Sequence, residues 1–105
     1  LERELKFLPE AEENLAELKQ DPAKAGVLKQ VNKTLTLMRT NLNHPSLNPH
    51  PFTTLKGPAG EPVFEIYAQQ HTPAAYRVFF FYGPDLIREG KRVPVLSIVA
   101  ITPHP

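Results

Sequence analysis

An α+β fold, with an N-terminal two-helix hairpin packed on a mostly antiparallel sheet of roughly four strands, is what this sequence predicts, on three observations. Residues 8–42 repeat their apolar positions at steps of three and four, the period of a helix buried along one face. Residues 52–101 hold short runs that alternate or are continuously apolar, separated by glycine and proline, as strands are. The two periods occur one after the other without interleaving, which distinguishes α+β from α/β. A chain of 105 residues can bury one core and is too short for two, so residues 1–105 are expected to form a single domain.

Each element has its own signal. Leu8, Ala11, Leu15 and Leu18 form the apolar stripe of the first helix, with Glu10, Glu13 and Glu17 facing water and Pro9 suited to its first turn. Asp21-Pro22 interrupts it, because the residue before proline is pushed out of the α region and the proline can open a second helix. That helix carries Leu28, Val31, Leu35, Met38 and Leu42 and ends near Asn41 to Asn43, ahead of His44-Pro45. These side chains are read as core. His44 to Pro51, with three prolines and two histidines, reads as a rigid extended loop. Phe52 to Lys56 is a short strand, joined through Gly57-Pro58-Ala59-Gly60 to a second strand, Val63 to Gln69. Alternation in the latter puts Phe64, Ile66 and Ala68 on the core face and Val63, Glu65, Tyr67 and Gln69 on the other. His71-Thr72-Pro73 turns the chain into Tyr76 to Tyr82, an aromatic-rich central strand with Arg77 embedded in it. A polar loop from Pro84 to Arg92 precedes Val95 to Ile101, whose nearly continuous apolar run implies burial on both faces.

Composition narrows the function classes. No apolar run approaches the roughly 20 residues needed to cross a bilayer, so no membrane partner is expected. Cysteine is absent, which excludes disulfides, zinc thiolates and a cysteine nucleophile, and fits a reducing, cytoplasmic setting. The N-terminal residues show no apolar h-region of a secretory signal. A net charge of +1 means that any contact with nucleic acid must be local. His44, His50 and His71 lie in loops without HxH or HExxH spacing, so neither a metal site nor a cofactor is expected. Gly57 to Gly60 lacks the lysine and following helix of a phosphate-binding loop, and no GxSxG motif occurs.

Arg77 is the most informative residue, because a guanidinium in an apolar strand cannot shed its proton and must meet a carboxylate, carbonyls or an anionic ligand. Two readings are open: a structural ion pair with Glu65 or Glu61, or a phosphate-binding arginine on an open sheet face. Tyr67 shares that face by parity and can stack a base or donate a hydrogen bond, while Tyr76 and Tyr82 point the other way. His104, between Pro103 and Pro105, has a backbone that the prolines restrain and a side chain suited to general acid or base work, or else belongs to an exposed tail.

The order of elements and the local sequence together resemble the RelE/ParE toxin superfamily. The carriers are Phe7-Leu8-Pro9-Glu10-Ala11, Leu55-Lys56-Gly57 followed by Gly60, Tyr76-Arg77-Val78-Phe79-Phe80, and Ile98-Val99-Ala100-Ile101 running on to His104. In RNA-cleaving members a strand arginine binds the scissile phosphate, and basic or histidine side chains after the last strand assist proton transfer. The resemblance thus implies Arg77 and His104 as catalytic residues and Tyr67 and Lys56 as substrate-binding residues of a metal-independent, ribosome-dependent mRNA endoribonuclease. A cognate antitoxin, the ribosome and mRNA would be its partners. A strand that often carries lysines in such enzymes here presents Glu65, Tyr67 and Gln69. The alternatives are therefore a non-enzymatic RelE-fold interaction module and, third, a gyrase-directed ParE-like toxin.

Overall fold

The computed structural model describes residues 2–105. Its order is β1 (Glu4–Phe7), α1 (Pro9–Gln20), a 3-10 turn (Pro22–Lys24), α2 (Ala25–Thr40), β2 (His50–Lys56), β3 (Pro62–Tyr67), β4 (Tyr76–Tyr82), β5 (Leu86–Arg88), β6 (Lys91–Val93) and β7 (Val95–Pro103). Pro9 opens α1, and the Asp21 carboxylate caps the 3-10 turn by accepting the Ala23 N–H at 3.0 Å. The proline break is thus a tight joint between two helices rather than a loop.

Five strands form the main sheet in the order β1-β7-β4-β3-β2. All neighbours are antiparallel except β1 and β7. Two features depart from the sequence reading. The helices do not begin the fold: Glu4–Phe7 is a fifth strand running parallel to β7, with Glu4 opposite Val95 and Phe7 opposite Ile98. The stretch from Pro84 to Arg92, expected as a polar loop, contains most of the β5–β6 hairpin, turned at Glu89-Gly90 with positive φ at both residues. Arg88 in this hairpin clasps Glu4 with two terminal nitrogens, one at 2.9 Å, and holds the Glu4 carboxyl below its usual range. Asp85 is likewise lowered, first by the Val95 N–H and then by Arg92.

The helices cover one sheet face. Leu18, Val31, Leu35 and Met38 are buried against Ile66, Phe80 and Ile98, with Leu15, Leu28 and Phe64 packed at the margin. Burial on both faces of β7 also holds, but its pairing with β4 shifts between Phe79 and Phe80, so Ile98 and Ile101 both face the helices while Ala100 faces away. A smaller cluster of Val63, Phe79 and Ala100, flanked by Phe52 and Leu55, lies apart from the helix-facing core. Since Leu35 is only 6% exposed, Leu35→Ala should lower the unfolding free energy by about 2–5 kcal/mol in a urea titration. A loss below about 0.5 kcal/mol, the scale of surface changes, would show the core to lie elsewhere.

Candidate active site

The strand register assembles a group of polar side chains on the face away from the helices. Tyr67, Arg77 and Thr102 stand opposite one another across β3, β4 and β7. One step along the sheet, His50 and Phe79 flank Glu65. Past the end of β7, the His104 N–H donates to the Ala75 carbonyl at 2.8 Å, which ties this residue to the strand end and not to a free tail. Four segments distant in sequence thus converge on Arg77.

Arg77 is not on an open face, as one reading of the sequence expected: its side chain is 10% exposed and that of Glu65 is 6% exposed. Arg77 Nη1 donates to Glu65 Oε2 at 2.9 Å. Glu61 takes no part, since its carboxylate accepts the Ala59 N–H in the β2–β3 turn. The Arg77 guanidinium also lies 4.7 Å from the centre of the Phe79 ring and 5.9 Å from that of Phe52, within cation–π range. Its Nη2 reaches only 3.5 Å from the Pro103 carbonyl oxygen, the outer limit of a hydrogen bond. Its Nε is buried with no partner. One end of the guanidinium is therefore anchored, and the other, directed toward the end of β7, is under-used.

Glu65 has a second side-chain partner. His50 Nε2 lies 2.7 Å from Glu65 Oε1, and His50 Nδ1 lies 3.1 Å from the Asn48 carbonyl oxygen. Each ring nitrogen thus faces an acceptor, and Glu65 holds His50 with one oxygen and Arg77 with the other. His104 differs: its Nδ1 lies 2.9 Å from the Pro105 carbonyl oxygen, and its Nε2 has no hydrogen-bond partner among the described residues. The centre of the Tyr67 ring lies 6.1 Å from that of the His50 imidazole and 6.4 Å from that of His104, with interplanar angles of 23° and 25°.

Arg77, Tyr67 and His104 are thus brought together, and Lys56 is not. Lys56 lies opposite Pro62, five residues from Tyr67 along β3, or about 17 Å at the rise of a strand. The sequence reading placed His50 in a loop, although it begins β2 beside the site. Pairing extended evenly from Lys56 and Pro62 would set His50 opposite Ala68, but an irregularity between Pro51 and Lys56 sets it opposite Glu65. Pro51 is accommodated because β2 is an edge strand.

No protein-family model and no curated protein matches the sequence. Among solved structures, the YoeB dimer from Staphylococcus aureus matches with a TM-score of 0.58, covering 100% of both chains at 15% identity. The fold is RelE-like. At this identity the likeness concerns the path of the backbone, and every role for a side chain rests on the geometry of this chain. No group of three or more potential metal-ligating side chains occurs among the described residues, and no helix is long and apolar enough to cross a membrane.

Proposed function

We propose that the chain is a RelE-like toxin, a metal-independent, ribosome-dependent mRNA endoribonuclease held inactive by a cognate antitoxin. The observation that carries this reading is the half-anchored Arg77, whose Nη2 is directed to the strand end where His104 keeps one ring nitrogen free. A phosphate there would meet a fixed positive charge in a sparsely hydrated setting, where such charges count most.

In the reaction, a ribose 2′-oxygen attacks the adjacent phosphorus as the bond to the 5′-oxygen breaks, leaving a 2′,3′-cyclic phosphate and a 5′-hydroxyl. Arg77 offsets the charge that builds on the non-bridging oxygens. The 2′-hydroxyl must lose a proton and the 5′-oxygen must gain one, and His104 is placed to serve one of these transfers. Tyr67 offers a ring face to a base displaced from its stack. Glu65, acidic in the sequence, presents little free charge to RNA because Arg77 and His50 engage its two oxygens.

The Glu65 pair also favours a second reading, a RelE-fold interaction module in which Arg77 is structural. Purified chain incubated with ribosomes and message decides between them. Cleaved message with cyclic phosphate ends, and growth arrest on expression in bacteria, are the expected results. Intact message and normal growth would overturn the toxin reading.

A further inference from the structure

The small net charge hides a segregation of charge along the chain. Residues 22–60 carry five basic side chains, Lys24, Lys29, Lys33, Arg39 and Lys56, and no aspartate or glutamate. The first 21 residues hold seven carboxylate side chains against three basic ones, and residues 61–105 balance four against four. The surplus belongs to α2 and the segments on either side of it.

Lys29 and Lys33 are exposed one helical turn apart on α2, and neither forms a salt bridge among the described residues. Lys33 lines a hollow of about 210 Å³ together with Gln30, Ser46, Tyr67 and Gln70. A second hollow, of about 640 Å³, runs past Tyr67, Gln69, Gln70, His71 and His104. Tyr67 and Gln70 border both, so the two meet at the end of β3. β2 begins only at His50, opposite Glu65, so no β2 residue pairs with Tyr67. Neither hollow has an aspartate or glutamate in its wall.

We propose that this groove is the track of single-stranded RNA around the edge of the sheet, with Lys33 in its wall and Lys29, one turn along α2 and outside the two hollows, meeting phosphates, and Tyr67 stacking a base where the strand enters the Arg77 site. It rests on the reading of that site as one directed at RNA, and adds the path by which RNA reaches it. The chemistry of the groove separates RNA from other polyanions. Lysines would hold any of them, but a ring face beside the side-chain amides of Gln30, Gln69 and Gln70 offers stacking and edge hydrogen bonds that an unpaired base can use and an acidic peptide cannot.

The test uses a fluorescein-labelled oligoribonucleotide, 2′-O-methylated so that it cannot be cleaved, with Kd read by anisotropy over a salt series. Lys29→Glu combined with Lys33→Glu should raise Kd on the order of tenfold at about 0.1 M salt. The slope of log K against log salt should shrink by about 1.4, roughly 0.7 for each lost phosphate contact to a single strand. Lys19→Glu, on the acidic α1, should change neither, and thermal melts establish that all variants are folded. Tight binding with the expected slopes but no cleavage of ribosome-bound message would refute the nuclease and leave the track standing. An unchanged Kd and slope in the double variant, or no binding by the wild type, would overturn the track. So would displacement of the probe by polyglutamate as readily as by unlabelled RNA, since that would assign the groove to an acidic protein segment.

Discussion

Arg77→Ala is expected to abolish message cleavage and also to cost about 3–5 kcal/mol of stability, the cost of breaking a buried ion pair from one side. The substitution leaves the buried Glu65 carboxylate with His50 as its one remaining side-chain partner among the described residues. It also removes the cation stacked on Phe79. Urea unfolding and cleavage measured on the same variant report the two effects separately. A second variant, Arg77→Met with Glu65→Leu, removes both charges and should recover most of the stability, since well-packed apolar replacements of buried pairs are often neutral. Cleavage should not return. Wild-type stability in Arg77→Ala would mean that the pair is not buried in solution. Cleavage surviving in the double variant would exclude Arg77 from the chemistry.

His104→Ala should separate the two properties in the opposite sense. Cleavage is expected to fall by about 100- to 10,000-fold, the usual range for losing a general acid or base. Stability should stay within about 0.5 kcal/mol, because the side chain is exposed and the bond to Ala75 is made by the backbone N–H, which alanine retains. A melting temperature and a single-turnover rate on one preparation suffice. Unchanged cleavage would assign the proton transfer to another group, and the imidazole of His50, 6.1 Å from the Tyr67 ring, would be the first to replace.

Much of the fold is legible because it depends on local rules. The Leu15, Leu18, Val31, Leu35 and Met38 stripe needs only the helical period, and the Pro9 start and Pro22 break need only the geometry of proline. Strand parity likewise places Glu65, Tyr67 and Arg77 on one face, and the aromatic run around Arg77 marks a central strand. The elements that escaped are those whose stability comes from distant partners. Glu4–Phe7 is four residues long and becomes a strand only by lying beside β7, some ninety positions away. The β5–β6 hairpin turns on Glu-Gly, where an Asn-Gly or Asp-Gly pair would have announced it.

The candidate site divides in the same way. Sequence alone determined that Arg77, charged and set in an apolar strand, had to find a carboxylate, carbonyls or an anionic ligand, because burial of an unpaired guanidinium is prohibitive. It also determined the shared face of Arg77 and Tyr67, since side chains alternate with period two. Which anion Arg77 meets, Glu65 and not Glu61, was decided by the tertiary structure, because the choice depends on where the β2–β3 turn engages its own carboxylate. His50 joined the site through an irregular register in an edge strand, and Lys56 was left at the far end of that strand by the same pairing. Register and bulges are settled by the packing of whole faces against each other, and no local stretch of sequence contains that information.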